Sequence, residues 1–597
     1  MTTHTTAETT AIPEGAPRTI WDLMRSAQRS MILGFCLAAV GALCKVVPYI
    51  ALIEIARRLV AQELAPGPLW TWVLVAVAAM VAHALLYGTA LGKNHFAEAR
   101  LRAELRGRLV DKLARVNLGW FTARSSGQIR KAVAKDTAEI HVLVAHLAGD
   151  VANSIVSILA SLAYLFWLDW RFAAIMLGGL ILVVLLVLLL SVTGLSDSIQ
   201  AYTQSQRELA SSVVELVDGI KEVKNFGMTN QVFGRFDRAQ KKHASVSVAW
   251  LEKQGLGMAL LAAAMQPVVI FATTVGVGLL FTLQGWLSPV TVVAFALVCV
   301  GLPEGLLAIV GISQVLYTAQ EAAASTLAIL QAAELPEPDT SATPDPQAPA
   351  VEFRNVSFAY DKGVDVIKEL SLSCPAGTVT ALVGPSGGGK STVAKLAARF
   401  WDVNEGAVLV GGRDVRQTTS ADLMSSLSLV FQDVQLSRDT VRANIALGRA
   451  GATDDEIVQA ARAACIHERI MQLPDGYDTI VGEGAHLSGG EAQRLTIARA
   501  FLAAAPILIL DEATAQADAH SERLIQQAIS NLAEGRTVIV IAHRLGTIQG
   551  ADQIAVIEEG RLAECGPHDE LLALGGRYAR MWRNQSRPIV EQENQPC

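Results

Sequence analysis

Apolar windows of about twenty residues recur in this chain before residue 320, and they narrow its possible folds more than any other feature. Leu69 to Leu91, Val151 to Leu168, Phe172 to Leu190 and Met258 to Leu283 are such windows. Each is close to the roughly 20 residues that a helix needs to cross about 30 Å of hydrocarbon. With 51% hydrophobic and 18% charged residues over 597 positions, the chain is too apolar for an average soluble protein. The pattern predicts six membrane helices near 31–56, 69–92, 146–168, 171–191, 256–283 and 289–316.

Spans three and four are separated by little more than Asp169-Trp170-Arg171, whereas about fifty to sixty residues follow spans two and four. Eleven Lys or Arg lie between Lys93 and Lys135. By the positive-inside rule, both long segments and both termini are expected in the cytoplasm and the protein in the plasma (inner) membrane. In the segment 93–118, Leu101, Leu105, Leu109 and Leu113 form one apolar stripe on a basic helix, which reads as a lever of about 40 Å ending at Gly119 to Gly127. A second such segment, Glu215 to Met228, is expected to break at Gly219 and Gly227. The first thirty residues have no signal-peptide pattern, and Trp21 to Arg29 reads as an interfacial helix. A net charge of −7 carries no nucleic-acid footprint. The seven cysteines contain no C-x-x-C pair and are expected as small fillers or free thiols.

Ala333 to Ala350 carries five prolines and reads as a linker. The expected division is therefore an N-terminal segment (1–30), a membrane domain (31–332), the linker (333–350), an α/β domain (351–585) and a tail (586–597). After the linker, VEFRNVSFAY, VTALVG, LSLVFQD, ILILDE and TVIVIAHR read as strands alternating with helices, the pattern of a mostly parallel, doubly covered sheet. The strand Val379 to Val383 leads into Gly384-Pro385-Ser386-Gly387-Gly388-Gly389-Lys390-Ser391-Thr392 and then a helix. In that context glycine backbone N–H groups cradle phosphates, Lys390 neutralises them and the Ser391 hydroxyl can take Mg2+. Asp511 and Glu512 end the apolar strand Ile507 to Leu510. Asp511 fits a magnesium role, and Glu512 fits the base that polarises the attacking water.

With LSGGE (Leu487, Ser488, Gly489, Gly490, Glu491) about a hundred residues after the phosphate loop, the chain resembles an ATP-binding cassette (ABC) half-transporter of the exporter fold over nearly its whole length. The resemblance implies a six-span α-helical membrane bundle fused to an α/β phosphate-loop ATPase domain. It implies that Leu487 to Glu491 meet ATP held by a partner's phosphate loop, so that two subunits form two composite sites. It further implies that Tyr360 stacks on adenine, that Gln432 meets Mg2+ and the attacking water, that His543 holds the terminal phosphate, and that Asp518 belongs to the loop crossing to the opposite site. Two departures stand out. Glu491 occupies a position where glutamine is usual, and Ala515-Gln516-Ala517-Asp518 stands where Ser-Ala-Leu-Asp is typical.

Alternating access driven by ATP is the implied mechanism. Cargo would meet polar groups within the apolar spans, with His83, Gln266 and Glu304 as candidates and Lys45 and Glu54 as residues that equally fit a snorkelling role. DEATAQADAHSE together with LSGGE is closest in wording to mycobacterial and yersinial siderophore importers. The expected activity is therefore import of an iron-siderophore complex by a heterodimer, with ATP and Mg2+ as cofactors. Membrane lipid and a small-molecule cargo are the other expected partners. An exporter of lipid, peptide or drug, which could be homodimeric, is the alternative, and a non-transporting nucleotide sensor is a third reading. No reductase-like stretch is recognisable, so iron release is expected to fall to a partner or a separate enzyme.

Overall fold

The computed structural model describes residues 17–586 apart from 64, 123, 192–194, 226–228, 346, 361–362, 432–433, 483–485, 512–518 and 543. They form two compact units: Pro13–Leu113 with Gly127–Gln331, and Ala114–Ser126 with Ala332–Cys597.

In the first unit, Gln28–Val60, Pro66–Arg115 and Ser126–Leu168 are long and apolar enough to cross a bilayer. Trp170–Leu186 and Pro289–Gly305 are shorter apolar helical stretches, each continuing into a longer helix. The expected fifth span, 256–283, is not one straight helix. Gly255–Ala264 and Pro267–Leu283 meet at 61°. Proline lacks an N–H and disfavours helical geometry in the residue before it, and Gln266 is accordingly extended, at φ −66° and ψ 132°. Pro48 and Pro303, by contrast, lie inside helices that continue past them.

The 50-residue helix Pro66–Arg115 is about 75 Å long at the usual rise per residue. Its basic half buries Leu101, Leu105 and Leu109 and donates from Arg106 to Thr137 Oγ1 and the Ala134 carbonyl. In the other long segment, the helix Leu195–Asp218 stops at Gly219 and resumes as Ile220–Asn225; the second expected break, Gly227, lies outside the described residues.

Among its described residues the second unit contains ten strands: β1 (Val351–Phe358), β2 (Ile367–Cys374), β3 (Val379–Val383), β4 (Glu405–Val410), β5 (Arg413–Asp414), β6 (Leu427–Val430), β7 (Ile507–Asp511), β8 (Thr537–Ile541), β9 (Gln553–Glu558) and β10 (Arg561–Gly566). They make two sheets, an antiparallel one in the order β2-β1-β4-β5 and a six-stranded one in the order β10-β9-β3-β8-β7-β6. All pairs of the larger sheet are parallel except β9 with β10. VEFRNVSFAY, read as part of the parallel sheet, belongs instead to the antiparallel one. Its inward residues Val351, Phe353, Val356 and Phe358 are buried against Leu396 and Phe400 in a core shared with the larger sheet. Continuous burial of Ile507 to Leu510 is what a central parallel strand covered on both faces requires. Among its described residues the linker has no helix or strand. Arg399 donates to the Pro336 carbonyl, Ser420 N–H to Glu337 and Ala342 N–H to the Gln417 carbonyl, which tie it to the second unit.

A candidate composite nucleotide site and a polar membrane cavity

β3 ends at Val383, and the chain turns through Gly384 (φ 145°) and Gly389 (φ 104°) into the helix Lys390–Ala397. Both conformations favour glycine. A Cβ at Gly384 would overlap the Ile557 carbonyl, and one at Gly389 would come within 2.7 Å of the Ile367 side chain. The loop thus lies close against β2 and β9 and leaves a cavity of about 300 Å³ lined by Val366, Ser386, Gly387, Gly389, Lys390, Ser391 and Thr392. Lys390 Nζ donates to the carbonyls of Gly384 and Pro385, both at 2.9 Å. A triphosphate in the cradle competes for that ammonium. Ser391 Oγ stands 3.5 Å from Asp511 Oδ1, a pair of hard oxygen donors fit to share a small divalent cation directly or through water.

Tyr360 is half-exposed, with its hydroxyl 2.8 Å from Thr392 Oγ1 and its ring edge-on to Trp401 at 4.9 Å. The free part of the ring is available for stacking beside the phosphate loop. Trp401 gave no sequence signal of its own. It also closes on the lever tip: Gly119 N–H donates to the Phe400 carbonyl at 3.2 Å, and any Cβ at Gly119 would overlap the indole. The turn Leu118–Thr122 at the end of the lever is therefore docked in the second unit.

Gln432, Glu512, Asp518 and His543 lie outside the described residues. β7 and β8, which precede Glu512 and His543, pair in parallel with Asp511 opposite Ile541.

At the signature, Ser488 caps the helix Gly489–Ala503 in a reciprocal box with Glu491. Ser488 Oγ accepts from the Glu491 N–H, and Glu491 Oε2 accepts from the Ser488 N–H at 2.8 Å. Ser488 and Gly489 are exposed, Leu487 is half-buried and Gly490 is buried. Exposed N–H groups at the positive end of a helix are suited to an anion. Arg469 Nε donates to Glu491 Oε1 at 2.8 Å. Burial pushes the Glu491 carboxyl up, but the Ser488 and Arg469 donors outweigh it and hold the group below the ordinary carboxylate range.

In the membrane unit a cavity of about 420 Å³ is lined by Lys45, Tyr87, His146, Asp150, Asn153 and Glu304, with apolar neighbours. Lys45 Nζ lies 3.7 Å from Glu304 Oε2, and Tyr87 donates to Asp150 at 2.6 Å. Of the three expected cargo residues only Glu304 lines this space. His83 has its Nδ1 2.9 Å from the Gly41 carbonyl on the neighbouring helix, and Gln266 stands at the helix break. Glu54 pairs with Arg57 and Arg58 along its own helix.

One group of residues gave no sequence reading although its spacing is regular. His95 and Glu98, one helical turn apart, meet His141, with ligand atoms all within 4.8 Å of one another. The His146 ring lies 5.1 Å from His95 and 5.5 Å from His141. Glu98 also accepts from Arg102. This is a nitrogen–oxygen donor set that could hold a first-row divalent ion, and π-helical turns flank His141 on both sides.

Comparison with known proteins decides the family. Residues 21–301 match the ABC transporter transmembrane region, and residues 367–515 match the ABC transporter family. The ATP-dependent lipid A-core flippase of Syntrophus aciditrophicus is 32% identical over 82% of this chain and 81% of its own length. The chain belongs to the ATP-binding cassette transporter family. This ABC chain is also similar to the mycobactin import ATP-binding/permease protein IrtA of Mycobacterium tuberculosis, at 40% identity over 92% of its length, and of Mycolicibacterium smegmatis, at 38% over 95%. It spans 64% and 66% of those two relatives, less than two thirds of each. A solved bacterial Atm1-family ABC exporter with ATP bound superimposes with a TM-score of 0.71 at 29% identity, covering 95% of this chain and 99% of that one.

Proposed function

We propose that this ABC chain is one half of a dimeric transporter that imports an iron-siderophore complex, driven by ATP hydrolysis at composite sites. The observation that carries the reading is the 38–40% identity, across 92–95% of this chain, to proteins named for mycobactin import. The likeness to lipid A-core flippases is lower and shorter.

In this reading the phosphate loop Gly384 to Thr392 holds the triphosphate and Tyr360 supports the base. Ser391, Asp511 and Gln432 hold Mg2+, which screens the phosphate charge. Glu512 polarises the attacking water, and His543 keeps it and the terminal phosphate in line. Leu487 to Glu491 close over the nucleotide of a second, non-identical half-transporter, with Asp518 crossing between the sites. Closure moves the lever, whose tip is locked at Gly119, and the membrane helices follow. The Lys45–Glu304 wall of the polar cavity is the cargo contact, since charge inside a bilayer persists where it faces water, cargo or another subunit. The ATPase domain and both termini face the cytoplasm across the inner membrane.

The test is co-purification of the partner from native membranes, followed by transport of radiolabelled ferric siderophore by both subunits in proteoliposomes. Loss of stimulated ATPase in Lys45→Met and Glu304→Gln with basal ATPase retained supports the cavity assignment. Stimulation by lipid, peptide or drug but not by ferric siderophores favours the export reading, which the Atm1-type fold supports.

A further inference from the structure

We propose that Arg469 and Glu491 act as a charge-compensated brace: Glu491 fixes the signature turn, and Arg469 cancels the negative charge that this brings to a surface meant for ATP. The inference rests on the reading that Ser488 to Gly490 face the partner's nucleotide. A glutamine at position 491, as is usual in the family, has one carbonyl oxygen with which to accept from the Ser488 N–H. The carboxylate of Glu491 has two oxygens and uses both, Oε2 on the Ser488 N–H and Oε1 on Arg469 Nε, each at 2.8 Å. The turn is then held from inside its own helix and from the neighbouring helix His467–Met471, which presents Arg469. Glu491 is only 17% exposed in its side chain and Arg469 34%, so solvent screens the pair incompletely.

The gain in rigidity carries an electrostatic penalty. A carboxylate in the first turn suits the helix dipole but opposes a polyanion approaching the same turn. Arg469 removes that opposition without loosening the cap. Arg469 is therefore a positioning residue: it acts on nucleotide through Glu491.

A double-mutant cycle in the complete transporter, with its partner subunit in nanodiscs, separates this from simple packing. Arg469→Met leaves the capping box intact and the Glu491 charge uncompensated. The KM for ATP is expected to rise about tenfold, the effect of one unscreened charge within several ångströms of the triphosphate. The kcat is expected to stay within about twofold, because the hydrolytic groups are untouched. Arg469→Met with Glu491→Gln removes both charges, keeps one acceptor for the Ser488 N–H, and is expected to have a KM at least about threefold below that of Arg469→Met alone. Gly490→Asp is the control: if the turn faces nucleotide, hydrolysis is lost whatever stands at 469. Full activity in Gly490→Asp overturns the composite-site reading and this inference with it. A dead Gly490→Asp with an unchanged KM in Arg469→Met, or with no recovery in the double variant, overturns the brace alone. A single cooperative thermal transition and an unchanged gel-filtration profile in every variant show that the fold is retained.

Discussion

Tyr360 is tethered through its hydroxyl to Thr392 and braced edge-on by Trp401, so its ring is held beside the phosphate loop before any nucleotide arrives. Tyr360→Ala is expected to raise the KM for ATP about three- to tenfold and Tyr360→Phe by much less, the difference between losing a stacking face of about 1 kcal/mol and losing one hydrogen bond. Steady-state kinetics over an ATP series checks this. Glu512→Gln is expected to keep ATP binding and lower kcat by at least about a hundredfold, as loss of a general base does; a nucleotide-trapping assay beside a phosphate-release assay reads both. The Glu491 cap has a pH signature. Its carboxyl is held below its ordinary 4.5, so the stabilisation it gives is complete above that value and is lost as pH falls through the lowered folded value. Glu491→Gln is accordingly expected to differ from the parent in thermal midpoint at pH 7 and to approach it as the pH is lowered below the ordinary carboxylate range. At this scale the phosphate loop and signature were legible, because each is a contiguous string with a local mechanism. Trp401, Arg469 and the His95–Glu98–His141 group were not, because their partners are brought to them by the fold.

The lever tip is tightly docked in the ATPase unit. Gly119 has no room for a side chain against Trp401, so Gly119→Val must displace the indole or the turn Leu118–Thr122, at a cost of about 1–3 kcal/mol. Basal ATPase at saturating ATP is expected to survive in this variant, since a shifted Trp401 reaches the phosphate loop only through Tyr360, while stimulation by cargo falls at least about fivefold. The comparison of stimulated with basal rates in nanodiscs measures it. The stripe Leu101, Leu105 and Leu109 made the lever readable, because burial at a spacing of four leaves a mark in the sequence. The broken fifth span was missed for a complementary reason: the apolar run from Met258 to Leu283 is continuous, and hydropathy does not register that Pro267 forces Gln266 out of the helix. Pro48 and Pro303 show that proline alone does not predict such a break.

Across the whole molecule, composition separated a membrane half from an ATPase half, and the two compact units follow that division except for residues 114–126, which belong with the ATPase unit. The sequence marked where the lever ends, at Gly119 to Gly127, but not that residues 114–126 pack with the strands that begin more than two hundred residues later. Sheet membership was also only partly legible: alternation identified β1 as a strand, but pairing with β2 and β4 rather than with β3 is set by register and turns distant from it. The family follows from the whole chain, whereas the proposed cargo and direction rest on the likeness to proteins named for mycobactin import. In the import reading, ATP consumed by paired subunits carries a ferric siderophore toward the ATPase side. The most direct test is to seal ATP inside proteoliposomes containing both subunits, which powers only molecules with the ATPase domain in the lumen, and to supply labelled ferric siderophore outside. Label accumulating in the lumen above the Glu512→Gln background is the predicted result. Hydrolysis without accumulation, or accumulation only when ATP and label are both outside, contradicts it.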